Sequence, residues 1–326
     1  MRGDGSGVTI PVRRKLMAAL SQLLGDQEKD NPKRFKVIPL RHPWRWVSAV
    51  VITLIVIWAI QVLVSTPAFG WDVVGEFLLN DQILQGVWGT LYMTVLAVAL
   101  GLSIGSLIAV MRLSPNPILS SVASFYQWFF RGTPVLVQLI FWYNLSSIFP
   151  NLRLSIFGWE IFNASTNTIM TSMTSALLGL GLNFGAYCSE IVRAGILSVD
   201  EGQIDASTAY GLTRLQTYKA VILPQAMRVI LPPLGNEFIG MLKGTSLAST
   251  VAFYELLHQA QVIYNRSFQI VPLLVVASLW YLLLTSILSI GQHFIENRFA
   301  RGTRRNPPPS IMRFLWNKLT GRSQRS

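Results

Sequence analysis

Polar side chains within long apolar stretches are the residues of this sequence best suited to chemistry. Asn236, Gly240 and Lys243 follow one another at steps of four and three residues, which places them on one face of a helix. A charge at membrane depth costs about 2.5–3.5 kcal/mol, so such a group is a functional candidate by default. Lys243 is therefore predicted either to line a path through the membrane or its gate, or to extend toward lipid phosphates. Glu237 is too far around the same helix to pair with Lys243.

Other polar residues within or near apolar stretches are candidates for the same path or gate. They either hydrogen-bond a small charged solute or bridge helices, at about 0.6 kcal/mol per contact. The candidates, in addition to Asn236 and Lys243, are Gln138, Asn183, Tyr187, Glu190, Glu237 and Ser246. A further motif, Arg131-Gly132-Thr133-Pro134, stands at the start of an apolar stretch, where proline suits the first turn of a helix.

Catalytic and metal chemistry find little support in the sequence. Cys188 is the only cysteine and there are three histidines, so a zinc or iron cluster is not expected. Neither a phosphate-binding loop of the form GxxxxGK[ST] nor an HExxH motif is present. The sequence therefore predicts a protein that is not an enzyme, binds no cofactor itself and cannot hydrolyse ATP.

The elements that must position these residues are predicted to be membrane helices. Of the 326 residues, 51% are hydrophobic and only 13% are charged, whereas soluble domains are usually about a quarter charged. A bilayer core of about 30 Å needs roughly 20 apolar residues in a helix. The sequence predicts an all-α bundle of six transmembrane helices, within Val47–Ser65, Gln82–Met111, Gly132–Leu152, Ile161–Ser189, Val229–Leu256 and Ser267–Ile295. The fifth contains Pro232 and Pro233 and is predicted to be an interrupted helix.

Two glycine pairs within these stretches predict close helix contacts. Gly101 with Gly105, and Gly181 with Gly185, are spaced so that two helix backbones can approach. Either the pairs pack within the chain or they form a contact between subunits.

The distribution of the 27 Lys and Arg residues predicts the orientation, because short cytoplasmic loops retain basic residues. With both termini cytoplasmic, only Arg153 and Arg266 fall outside and Lys243 stays within a span. The net charge of +12 therefore reflects membrane topology and not a nucleic-acid partner. Residues 1–46 form a basic cytoplasmic segment, and residues 298–326 form a basic cytoplasmic tail.

The polar segment 198–228 is predicted to be a structured cytoplasmic loop. Ser198 with Glu201, and Thr213 with Gln216, have the spacing of capping boxes at helix starts. Gly211 is a natural helix terminator, and Pro224 is expected to end the second helix. Two short helices around a glycine turn would present a compact knob to a soluble partner.

This segment carries a resemblance to a known family. Asp205-Ala206-Ser207, three residues, Gly211, nine residues and then Val221-Ile222-Leu223-Pro224 resemble the EAA loop of bacterial ABC importer permeases. Gly202-Gln203 before it and Gln225-Ala226 after it are similar to the polar amino acid branch. Asp205 and Ser207 depart from the Glu and Ala that are usual in the family. The resemblance implies that residues 82–297 form a five-helix permease core, to which helix 47–65 is additional.

The resemblance also implies the function and the partners. The chain is expected to be the permease subunit of an importer that moves a polar amino acid across the bacterial plasma membrane. A separate ATPase dimer that binds ATP and Mg would drive the transport. An external solute-binding protein would deliver the amino acid. A second permease, either an identical or a sister chain, would complete the path. ATPase coupling is assigned to Gln203, Asp205, Ala206, Ser207, Gly211, Leu223 and Pro224. The alternative is a stand-alone ion-coupled carrier or channel, for which no inverted repeat is detectable.

Overall fold

The computed structural model describes residues 43–156 and 159–299. The predicted terminal segments, 1–46 and 298–326, lie almost entirely outside the described residues. The chain divides into a unit that ends at Leu63 and a unit that begins at Val64.

The described part of the first unit, residues 43–63, is most of helix α1 (Pro43–Ser65). From Val47 onward its side chains are exposed and almost all are apolar. A helix that is apolar on every side is typical of a membrane span, in agreement with the predicted stretch Val47–Ser65.

The second unit is mostly helical. Short 3₁₀ turns lie at Pro67–Phe69 and Leu145–Ser147. Its helices are α2 (Trp71–Phe77), α3 (Asp81–Arg112), α4 (Pro117–Gly132), α5 (Val135–Tyr143), α6 (Thr166–Ile169), α7 (Ser172–Leu197), α8 (Glu201–Ala209), α9 (Arg214–Thr217), α10 (Leu223–Gly244), α11 (Leu256–Ser267) and α12 (Ile270–Phe299).

Within residues 43–156 and 159–299, four helices are long and apolar enough to cross a membrane: most of α1, and α3, α7 and α12. Two of the stretches predicted from sequence have the wrong bounds. Gly132–Leu152 is not one helix, because the chain breaks at Thr133-Pro134 and is extended from Asn151. Ile161–Ser189 lies in a strand at its start, and its long helix begins only at Ser172.

The predicted stretch Val229–Leu256 is interrupted, but not at its prolines. Helix α10 runs through Pro232 and Pro233 to Gly244, and a 3₁₀ helix, Thr245–Val251, comes directly after it. Ala252 then adopts a left-handed conformation with φ of 55°, which turns the chain toward α11.

Two strands depart from the all-helical expectation. Strand β1 (Asn151–Ile156) pairs antiparallel with β2 (Trp159–Ser165) in a hairpin between α5 and α7. The segment alternates apolar and polar residues with a period of two, which suits a strand and not a helix.

Helix α3 joins the two main apolar clusters of this unit. Its first half packs with α2, α11 and α12 around Ile83 and Val87. Its middle packs with α5, α7 and α10 around Met93 and Ala97.

The glycine pairs pack within the chain. A Cβ atom on Gly101 would lie 2.8 Å from the Gly181 carbonyl oxygen, and one on Gly105 would lie 2.7 Å from that of Gly185. The backbones of α3 and α7 therefore approach so closely that only glycine is accommodated at these positions.

Candidate functional site

The segment 198–228, hereafter the 198–228 loop, contains two helices around a glycine turn. Thr213 and Gln216 form a capping box at the start of α9, with both reciprocal bonds present. The capping box predicted at Ser198 is wrong, because the Ser198 hydroxyl donates to the Gly195 carbonyl at the end of α7. Asp200 caps α8 instead, accepting from the Gly202 N–H at 2.9 Å.

The turn depends on Gly211, whose φ is 77°. Its N–H donates to the Thr208 carbonyl at 2.9 Å, and the next N–H donates to the Ser207 carbonyl at 3.1 Å. The Ser207 side chain is buried and lies 3.1 Å from the Thr217 hydroxyl, which ties α8 to α9. The serine that departs from the family pattern is thus a brace inside the loop.

The remaining predicted coupling residues are all exposed: Gln203, Asp205, Ala206, Gly211, Leu223 and Pro224. Beside them lies an apolar surface that sequence reasoning missed, formed by Tyr210, Leu212 and Leu215, with Tyr210 87% exposed. Exposed tyrosine and leucine side chains around a turn are typical of protein contact surfaces.

The loop continues into α10 without a break. A π-helical turn at Tyr218–Ile222 leads directly into Leu223–Gly244, so Pro224 does not end the second helix but lies in the first turn of α10. Val199 after α7 and Ala226 and Ile230 on α10 form a small buried cluster beneath the loop. The loop and α10 are therefore connected both by a continuous helical backbone and by this cluster.

The Arg131–Pro134 motif lies at the break between α4 and α5, with Pro134 directly before the first turn of α5. The break frees the backbone carbonyls of Phe130 and Thr133 from helical partners. The Gln138 side-chain amide donates to both at 3.1 Å, and that of Asn183 on α7 donates to the Phe130 carbonyl at 2.8 Å. Gln138 and Asn183 thus brace the helix break, which favours the helix-bridging alternative for both.

Replacing Gln138 by leucine should destabilise the protein by about 1 kcal/mol, because the Thr133 carbonyl would lose its side-chain donor and the Phe130 carbonyl would keep only that of Asn183. Thermal unfolding of the purified variant in detergent measures this loss. Gln85→Leu, at an exposed position on α3, is the matched control and should change stability by less than about 0.5 kcal/mol. Equal stability of both variants would contradict the bracing role.

A polar cavity of about 500 Å³ lies among α3, α4 and α7. The Arg193 guanidinium binds the Glu190 carboxylate through two nitrogens, at 2.6 and 3.3 Å. The Arg131 guanidinium lies 5.2 Å from the centre of the Tyr187 ring, over its face. The lining residues are Arg112, Ser124, Gln127, Trp128, Arg131, Gly132, Tyr187, Glu190 and Arg193. Three arginines against one glutamate give an excess of positive charge, which suits a carboxylate.

Sequence reasoning named Arg131, Tyr187 and Glu190 but missed several members of this cavity. Arg112 on α3 donates to the Ser124 hydroxyl on α4. Gln127 donates to the Ser189 hydroxyl at 2.9 Å.

A second polar cavity of about 520 Å³ lies between α10 and α12. It brings together Asn236, Gly240 and Lys243, as their spacing predicts. The Gln292 amide on α12 donates to the Asn236 side chain at 3.1 Å and to Glu296 at 2.7 Å. The helix period places Glu237 on another face of α10. The hydroxyl of Ser246 donates to the Lys243 carbonyl at 2.7 Å.

Glu255 is fully buried directly before α11. Its carboxylate accepts from the N–H groups of Leu257 and His258, at 2.9 and 2.7 Å, and from the Tyr281 hydroxyl at 2.5 Å. Three donors satisfy this carboxylate and fix the start of α11 against α12.

Comparisons with known proteins agree with this arrangement. Residues 101–301 match the family of binding-protein-dependent transport system inner membrane components. The arginine transport system permease protein ArgU of Corynebacterium glutamicum is 42% identical over 84% of this chain and 86% of its own length. The L-cystine transport system permease protein TcyB of Bacillus subtilis is 38% identical over 72% of this chain and 93% of its own.

A solved structure of an amino acid ABC transporter with histidines is 34% identical. It superimposes with a TM-score of 0.59, covering 70% of this chain and 98% of its own. The residues that match the family, 101–301, include the 198–228 loop.

Proposed function

Because the chain belongs to the binding-protein-dependent inner-membrane transport components, as the permease subunit of an amino acid ABC importer, we propose that its 198–228 loop docks a separate ATPase. The observation that carries this proposal is the exposed, internally braced pair of helices joined without a break to α10. Membership of this family favours the importer over a stand-alone carrier.

Six crossings with both termini cytoplasmic are the topology we propose. In addition to the four long helices, α4 with α5 forms one crossing that is broken in the middle, and α10 with its 3₁₀ extension forms another. Broken helices are tolerated at membrane depth where side chains satisfy the freed backbone, as Gln138 and Asn183 do here. The positive-inside rule then puts the 198–228 loop on the cytoplasmic side.

At the dock, the ATPase would contact Gln203, Asp205 and the apolar surface of Tyr210, Leu212 and Leu215. ATP and Mg would be bound by that partner. An ATPase dimer offers two docking clefts and this chain has one such loop, so a second permease completes the assembly. An external solute-binding protein supplies the amino acid.

The solute would pass the two polar cavities. Arg131 offers a guanidinium to the α-carboxylate that every amino acid carries, while Glu190 is available to its ammonium group once Arg193 exchanges partners. The name of the relative from Corynebacterium makes arginine the first solute to test, with cystine as the second.

Replacing Lys243 by methionine should reduce uptake at least about tenfold, which corresponds to about 1.4 kcal/mol, because the path loses its fixed charge. Insertion into the membrane should be unaffected, since removal of a charge favours it. Radiolabelled uptake, normalised to the amount of protein in the membrane, measures the effect. Lys243→Arg is the matched control and should retain most of the activity. Unchanged uptake by Lys243→Met would remove Lys243 from the path.

Co-purification with the cognate ATPase tests the dock. Asp205→Lys reverses the charge on the exposed face of α8 and should abolish co-purification. Glu160→Lys, an equal charge reversal on the β1–β2 hairpin, should leave it intact. If Asp205→Lys retains the ATPase as well as Glu160→Lys does, the 198–228 loop is not the dock.

A further inference from the structure

The β1–β2 hairpin has one apolar and one polar face. Its register pairs position 152 with Ala164, 154 with Phe162 and 156 with Trp159, and these positions share one face. The pairs Arg153 with Asn163 and Ser155 with Glu160 lie on the other face. A bulge after Leu154 leaves Ile161 outside the pairing.

The apolar face is not covered by the described part of the chain. Trp159 is 80% exposed and Phe162 is 45% exposed, and the bulged Ile161 is 60% exposed. A two-stranded hairpin is marginally stable in water on its own and needs a covered apolar face. Some other surface must therefore cover Trp159 and Phe162.

The hairpin is attached next to an exposed apolar stretch. Ile148 and Phe149, immediately before β1, are exposed, as are Ile140 and Phe141 on α5. The Thr166 N–H donates to the Pro150 carbonyl at 3.0 Å, and its hydroxyl donates to the Phe149 carbonyl, which fixes the base of the hairpin. The hairpin is therefore held directly next to an exposed apolar segment that connects it to α5.

We propose that the β1–β2 hairpin lies on the outer surface of the bilayer, with its apolar face inserted among the lipids. Tryptophan prefers the interface between water and hydrocarbon, where an element with one apolar face is buried by about 5–10 Å. Arg153 and Glu160 give the polar face no net charge, so insertion does not depend on anionic lipid. The hairpin would hold the junction between α5 and α7 at a fixed height in the membrane.

The composition of the hairpin's apolar face favours lipid over a soluble protein as the surface that covers it. The external solute-binding protein must dock and leave, and transient interfaces are only about as apolar as an average protein surface. A patch of tryptophan, phenylalanine and isoleucine beside an apolar helix end is more apolar than that. The choice of outer leaflet rests on the proposed topology, whereas the contact with lipid does not.

Single cysteines on the two faces test the proposal. The chain has one cysteine, so a Cys188→Ser background allows Trp159→Cys and Phe162→Cys to be labelled with a fluorophore on the apolar face. Ser155→Cys and Asn163→Cys label the polar face and are the matched controls. Each protein is placed in phosphatidylcholine nanodiscs, with a spin label near the lipid carbonyls as one quencher and iodide in water as the other.

The lipid quencher should reduce fluorescence severalfold more at positions 159 and 162 than at 155 and 163, and iodide should show the opposite order. Equal quenching of all four positions by iodide would overturn the proposal. So would protection of positions 159 and 162 that appears only when the solute-binding protein is added, or a disulfide between the Trp159→Cys positions of two copies. None of these results depends on uptake, so a failed dock and a failed lipid contact are distinguishable.

Discussion

A Gly101→Val variant is expected to yield little or no folded protein. A Cβ atom at this position would lie 2.5 Å from a ring carbon of Phe184 and 2.8 Å from the Gly181 carbonyl oxygen. The second contact is with backbone, so no change of rotamer relieves it. Overpacking typically costs about 1–3 kcal/mol, and here α3 would also separate from α7, the pair that holds the second unit together. Fluorescence-detected gel filtration of the membrane extract measures the fraction of the protein that is folded and monodisperse.

Gly291→Val on α12 is the matched control. Nothing lies within 4 Å of a Cβ atom there, and valine has a higher helix propensity than glycine at both positions, so this variant should elute like the native protein. If the two variants give the same yield of monodisperse protein, the close contact of α3 with α7 is wrong.

A Gly211→Pro variant is expected to insert normally but to lose the coupling of ATP hydrolysis to transport. Proline fixes φ near −65°, whereas the turn needs 77°, and it removes the N–H that donates to the Thr208 carbonyl. The angle between α8 and α9 would then change, and with it the surface of Asp205, Tyr210 and Leu215. ATP hydrolysis by the reconstituted complex should no longer rise when the solute-loaded binding protein is added.

A Gly211→Asn variant distinguishes the effect of a changed turn conformation from the effect of losing glycine. Asparagine adopts left-handed conformations more readily than other residues, and the position is open, so this variant should keep most of the stimulation. Full stimulation of ATP hydrolysis with Gly211→Pro would mean that the turn does not set the docking surface.

Much of the fold is dictated by long apolar runs. Helices α1, α3 and α12 lie where charge-free stretches predict them, because a bilayer dictates their length. The break at Thr133-Pro134 is not predictable in this way, since an uncharged stretch looks the same whether one helix or two pass through it. The residues of β2 from Ile161 onward are predicted as helix because an uncharged stretch also accommodates a strand, although their alternation of apolar and polar residues favours one.

The candidate site is predictable where its residues share one element. Asn236, Gly240 and Lys243 line one cavity because the helix period fixes their face. Arg112 and Gln127 come from α3 and α4, and their meeting with Glu190 depends on how those helices are rotated, which no local pattern specifies. The role of Ser207 requires its partner Thr217, ten residues away across the turn.

Solute accumulation in proteoliposomes distinguishes an ATP-driven permease from a stand-alone carrier. The chain, its second permease and the cognate ATPase are reconstituted with the solute-binding protein, and all ion gradients are dissipated. Labelled amino acid is expected to accumulate only when ATP and Mg reach the ATPase. Accumulation that needs no ATPase and depends on an imposed ion gradient would contradict the importer function and establish a carrier in its place.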